Sequence, residues 1–276
     1  MRYIILSYAK TVSIWMLRRP SGDTFRHPWA VTQPVDLVLL AVIGLGVFAF
    51  ASAAQAVTGF GSALVAVPIF ALAVDTRTAV VATTALGFVL TAGTGYRERA
   101  HVQVRTTRRI VVASLVGMPL GLVLLAKLDA RWLSLVIGLT VLALVVLLWR
   151  RITLPRGVAV ERGAGLASGV LLTATGMNGP PVALALQALN YPARQFRATL
   201  QAIFVGQDLI AVIAFGVLGF LNVQVAAVVL GGLAGIPVGW LVGDRVMRTM
   251  SEQQFRTGVL LVLVATAAVT LVGVIA

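Results

Sequence analysis

The chain has 276 residues, of which 59% are hydrophobic and only 11% charged, and it carries a net charge of +13. Soluble domains carry about 25% charged residues, so a water-soluble fold is excluded and one polytopic helical membrane domain is the default. The charge does not point to nucleic acid, because the basic residues sit in short loops between apolar runs, as the positive-inside rule expects. With no cysteine, disulfides and thiolate metal sites are excluded. The two histidines, His27 and His101, lie outside the apolar runs, and nothing suggests a metal or a cofactor.

Residues 1–34 form a leader. Its apolar part, Tyr3–Leu17, is interrupted by Lys10 and ended by Arg18-Arg19-Pro20. It resembles neither a signal peptide nor a full span, and an interfacial helix is the reading, with a start site placed too far upstream as the rival. Repeat 1 occupies 35–150, with segment a at 37–57, a short segment b to Val74, c at 78–96, d at 110–126 and e at 132–149. A linker at 151–162 carries the turn Pro155-Arg156-Gly157. Repeat 2 occupies 163–276, with a′ at 163–175, b′ to Asn190, c′ at 198–217, d′ at 223–243 and e′ at 257–276. The correspondences hold near one spacing: Thr58-Gly59 with Thr175-Gly176, Arg77 with Arg194, Phe88 with Phe204, and Gly117-Met118-Pro119 with Gly235-Ile236-Pro237. Internal repeats of this kind typify transporter folds.

Charge orients the halves. The loop after c holds Arg97, Arg99, Arg105, Arg108 and Arg109, whereas its counterpart, Gly219 to Gln224, holds no basic residue. Short cytoplasmic loops collect Lys and Arg, so the first loop is expected inside and its counterpart outside, which makes the repeat inverted. The linker arginines, the loop at 244–256, and Arg194 with Arg197 agree; the basic leader disagrees. The fold expected is all-α and membrane-embedded: two inverted-topology repeats of about five hydrophobic segments each, in all eight to ten membrane segments. Segments b and b′ are short of the ~20 residues a span needs, and they read as re-entrant halves or as full spans.

Two stretches interrupt the apolar runs. The first is Gln55-Ala56-Val57-Thr58-Gly59-Phe60-Gly61-Ser62, running on to Pro68; the second is Thr175-Gly176-Met177-Asn178-Gly179-Pro180-Pro181. Gly and small residues also serve close helix packing, but Pro removes a donor and clashes with the preceding turn, so a break is expected in each half. Backbone groups freed in the membrane must be satisfied by protein or a water-lined cavity. Paired breaks therefore point to a midplane binding site. The N–H groups and dipole at the start of a second half-helix favour an anion. Backbone near Gly59, Gly61 and Ser62, and near Gly176 and Gly179, would cradle it, with Thr58, Ser62, Thr175 and Asn178 as side-chain donors.

Gln55, Gln187, Gln201 and Gln207 lie in apolar stretches, where polar side chains bridge helices; Gln55 and Gln201 are also candidate substrate contacts. Asp208 is the one acid well inside an apolar segment, which reads as ion coupling, with H+ as the ion, or as a partner for Arg97 or a residue near a helix end. Arg194 and Arg197 would recruit anions at the inner mouth or anchor the helix among headgroups.

The doubled motif, the repeat and the basic loop after the third segment together resemble the sulfite exporter TauE/SafE family of membrane permeases, over about 35–276. That family's motifs tend to read Gly-x-Gly-Gly-Gly and Gly-x-Gly-Gly-Pro-Pro; here Ser62 and Asn178 stand in place of glycine. The resemblance implies a multi-pass permease of the cell membrane that moves a small anion, such as sulfite or sulfoacetate, with the lipid bilayer and that anion as its partners. Two other classes stand beside it, an anion channel and an intramembrane enzyme. The second lacks an intramembrane His, a Cys or a pair of acids. No Gly-x-x-x-x-Gly-Lys-Ser/Thr motif is present, so transport runs on an ion gradient or passively.

Overall fold

A computed structural model describes residues 36–58, 61–150 and 154–247. The leader at 1–34, segment e′, Gly59, Phe60, Arg248 and Arg256 lie outside the described residues. In chain order the helices are α1 (Leu37–Thr58), α2 (Ser62–Ala73), α3 (Thr76–Glu98), a 3-10 turn (Arg99–His101), α4 (Val104–Lys127), α5 (Ala130–Arg150), α6 (Val158–Thr175), α7 (Gly179–Ala188), α8 (Ala193–Val217) and α9 (Val223–Met247). Among the described residues the regular structure is all helical. Five helices among the described residues, α1, α3, α4, α8 and α9, are long and apolar enough to cross a membrane.

The short segments are half-helices. α2 has 12 residues and α7 has 10, which at about 1.5 Å per residue reach little more than half of a ~30 Å hydrocarbon core. Their starts follow from local chemistry. Gly61 takes a left-handed φ of 91° before α2, and Gly176 one of 75° after α6. This conformation suits Gly, which lacks the Cβ that would clash. Pro180 and Pro181 sit in the first turn of α7, where a missing N–H leaves no intrahelical bond unmade. The sharp turn into α3 is fixed by Asp75, whose carboxylate accepts from the N–H groups of Arg77 and Thr78, both at 3.0 Å. Such an N-cap contributes about 0.5–2 kcal/mol.

Helices of the two halves pack in reciprocal pairs. α1 lies along α9, and α4 along α6. In lipid no hydrophobic effect drives this association; small residues allow backbones to approach and gain dispersion. Gly231, Gly235 and Gly239 of α9 sit against the carbonyls of Ala41, Leu45 and Ala49 in turn, so a Cβ at any of them would strike α1. Gly165 and Gly169 of α6 meet Ile110 and Ser114 of α4 in the same way, and Gly117 and Gly121 meet Leu166 and Val170. In both pairs the numbers rise together, so the helices run parallel. α3 and α8 also pack together, but here Glu98 faces Arg197 and Thr94 faces Gln201, so the numbers run oppositely and the pair is antiparallel. The half-helices are wedged against this frame by the core: Phe48 of α1 stacks on Phe70 of α2 at 6.4 Å, and Val182 and Leu186 of α7 pack with Leu200, Ile203 and Phe204 of α8.

Candidate functional site

Both helix breaks open onto one small internal cavity. Its lining includes Gly61, Ser62 and Ala63 from the first break, Gly176 and Asn178 from the second, and Gln55 of α1. α3 adds Thr83, Thr84, Gly87 and Thr91, and α8 adds Phe204 and Asp208. The halves touch directly, since a Cβ on Gly176 would lie 3.1 Å from Val67 of α2. The cavity is about 20 Å³, room for roughly one water, so a bound oxyanion requires it to widen.

The first break offers donors. The Ser62 N–H donates to Gln55 Oε1 at 2.9 Å; the orphan backbone donor is thus already satisfied, and the free group is the other end of the amide. Among the described residues, Gln55 Nε2 is buried without a hydrogen-bond partner, and so is the Thr83 hydroxyl. A buried donor left unmade costs about 1–3 kcal/mol, which a ligand accepting from it would recover.

The second break holds an acid. Asn178 precedes α7 but makes no side-chain cap. Its Nδ2 instead donates to Asp208 Oδ1 and Gln207 Oε1, each at 3.1 Å. Gln207 Nε2 donates in turn to Ser168 Oγ at 2.7 Å, and that hydroxyl donates to Gly165 O. The chain ties α6, α7 and α8 together and orients the carboxylate. Asp208 is 5% exposed. Among the described residues no cation pairs with it; Arg97 lies instead over the Trp240 ring, 5.5 Å from its centroid.

Of the residues singled out from sequence, the cavity gathers Gln55, Gly61, Ser62, Gly176, Asn178 and Asp208. Gly179 is buried as the first residue of α7 but is not part of the lining. The α7 cradle is thinner than expected, because Pro180 and Pro181 carry no N–H. Thr175 is buried with its hydroxyl bonded to Leu171 O at 2.7 Å. Gln201 lies nearer the start of α8, accepting from Thr94 Oγ1 at 3.1 Å. Thr58 ends α1 with its side chain outside the description, as is Gly59. Arg194 and Arg197 are in the first two turns of α8, and eleven residues at 1.5 Å each put Arg197 about 16 Å from Asp208. Arg197 is within 4.0 Å of Glu98.

The face of α3 escaped the sequence reading. Thr84, Gly87, Thr91 and Thr94 recur at helical spacing, a polar and small stripe in an otherwise apolar run. That spacing was the available signal, although the hydroxyls of Thr84 and Thr91 also bond back to Val80 O and Gly87 O, an ordinary arrangement for threonines in a helix.

A family model described as sulfite exporter TauE/SafE matches residues 42–270, a stretch that takes in both breaks and both reciprocal helix pairs. No curated protein and no solved structure matches the chain.

Proposed function

The chain belongs to the sulfite exporter TauE/SafE family of membrane transporters, and from that premise we propose that it is a secondary permease whose two helix breaks bind a small sulfur-containing oxyanion or organosulfonate beside Asp208. Sulfite and sulfoacetate are the substrates that fit the reading. The observation that carries it is the convergence of both breaks, from opposite halves of the chain, on one buried cavity with unpartnered donors on one side and a lone acid on the other. The anion is received by Gln55 Nε2, the Ser62 and Thr83 hydroxyls and the positive end of α2.

Coupling follows from charge. An anion about 4 Å from an ionised carboxylate is repelled by roughly 4 kcal/mol at an effective dielectric of 20. The anion therefore binds the neutral acid, and by reciprocity a bound anion holds the proton on Asp208. Proton and anion cross together, and H+ is the coupling ion.

The repeat is inverted in this reading. Its support is the parallel register of α1 with α9 and of α4 with α6, together with the antiparallel register of α3 with α8. Short connections reverse the chain between α3 and α4 and between α8 and α9, so α1 and α6 then run in opposite directions. A reporter fused after Arg105 reads cytoplasmic and one placed near Asn222 reads periplasmic; both on one side would refute the inversion. For the substrate, the purified protein is screened by thermal shift against sulfite, sulfate, thiosulfate, sulfonates and carboxylates, since a ligand of the folded state raises its melting temperature by mass action. Saturable, proton-dependent counter-flow in liposomes distinguishes a permease from a channel. A screen in which only carboxylates bind would remove the sulfur anions.

A further inference from the structure

A second, larger space lies beside the cavity. It is a groove of about 680 Å³ between α3 and α9, lined by Leu90, Gly93, Thr94 and Arg97 on one side and Pro237 and Trp240 on the other, among others. Three features of it bear on access. First, it continues the cavity along one helix: Thr94 faces the groove, Thr91 faces the cavity, and a single turn of α3 with Leu90 separates them. Second, its outer end carries an uncompensated cation. Arg97 stacks on Trp240 and, among the described residues, has no carboxylate partner, whereas Arg197 nearby is opposed by Glu98. Third, its α9 side differs from the matching stretch of α4. Ile236 and Trp240 correspond in the repeat to Met118 and Leu122. The latter pair is buried, 2% and 7% exposed, while the former is only half-buried and rims the groove.

We infer that this groove is an aqueous inner vestibule: a small anion enters it with its water at Arg97, passes Thr94, and reaches the central cavity past Leu90. The assignment rests on the central cavity being the binding site. It moves anion capture from Arg194 and Arg197 to Arg97. Arg97 opens the basic loop 97–109, which the positive-inside rule places in the cytoplasm, where its field concentrates anions at the mouth.

The absence of cysteine from the chain makes the test direct. Single cysteines are introduced as Gly93→Cys and Thr94→Cys, and as Leu230→Cys for a residue that is 68% exposed on α9 away from the groove. A Cβ at Gly93 meets nothing within 4 Å, and Thr94→Cys is close to isosteric, so both variants should fold. Each is treated in inside-out and right-side-out vesicles with a sulfonate-bearing and a quaternary-ammonium methanethiosulfonate of similar size. The expected result is modification of both groove cysteines from the cytoplasmic side, with Leu230→Cys inert to both charged reagents. Adding Arg97→Gln to T94C should slow the sulfonate reagent about tenfold relative to the cationic one. Groove cysteines as inert as Leu230→Cys would mean the groove is filled by lipid, and modification only from the outer side would reverse the route; either overturns the inference. If the breaks do not bind the anion, transport survives substitution of Gln55 while the labelling pattern stands, so the two failures are told apart.

Discussion

The two helix breaks are related by the repeat, yet they differ in what they present to the cavity. In the first, Gly61 turns the chain into α2, and Gln55 reaches across to hold the Ser62 N–H, keeping its own amide donor free. In the second, Gly176 closes α6, two prolines take donors away from α7, and the Asn178 side chain turns from capping to grip Asp208. Under the proposed function, these breaks take complementary chemistry, one receiving an anion and the other holding a proton. The lesson is that a break supplies an opening in the membrane, and the side chains that satisfy its loose ends decide what the opening binds.

The largest expected effect is at the acid. Asp208→Asn should abolish gradient-driven uptake and leave anion binding measurable by thermal shift, because the neutral amide mimics the protonated acid. Retained uptake with an unchanged pH profile would place Asp208 in structure alone. On the donor side, Gln55→Ala removes a hydrogen bond to a charged ligand, worth about 1.5–3 kcal/mol, so affinity should fall roughly tenfold to a hundredfold. An unchanged dissociation constant in titration would dissolve the division between the breaks.

Asn178→Ala should weaken the anion less than Gln55→Ala, since its amide points at Asp208 and Gln207. Its mark should be a displaced pH profile of transport, whereas a loss of affinity equal to that of Gln55→Ala would make the second break a donor site too. Stability sharpens the comparison further. Gly176→Ala forces a Cβ into a left-handed backbone, costing about 1–2 kcal/mol, and sets it 3.1 Å from Val67. Gly219 has a φ of 74° with open space around it, so Gly219→Ala should show the backbone cost alone, and the difference between their melting curves measures how tightly the halves meet. The smallest effect is expected at Gly87→Ala, where a Cβ would sit at an ordinary 3.6 Å from Asp208 Oδ2; stability within about 0.5 kcal/mol of the parent is the expected reading.

The membrane class, the helical segments and both breaks were legible because their causes are local. Asn178-Gly179-Pro180-Pro181 cannot continue a helix whatever surrounds it, and an apolar run of some 20 residues has few alternatives. Asp208 stood out for the same reason, as an acid where acids are expensive. What the side chains of the breaks turn toward was not legible, because it depends on neighbours far along the chain. Asn178 reads from sequence as a donor to the substrate, and only the packing of α7 on α8 brings it to Asp208. Gln201 reads as a substrate contact by its position on the segment after the second break, yet it stands about 10 Å along the α8 axis from Asp208 and meets Thr94. Thr84 and Thr91 were hidden because a threonine in a membrane helix can satisfy its hydroxyl on the preceding turn, which gives a site residue and a packing residue the same signature.

The central claim is that anion and proton share the cavity, and it is tested most directly by the affinity of the tightest-binding sulfonate measured across pH, in the parent protein and in Asp208→Asn. A sulfonate keeps its own charge throughout, so any pH dependence belongs to the protein. The account predicts an affinity in the parent that falls as pH rises, by up to about tenfold per unit, and a flat line in Asp208→Asn. A parent as flat as the variant, or a variant that keeps the full slope, would contradict it.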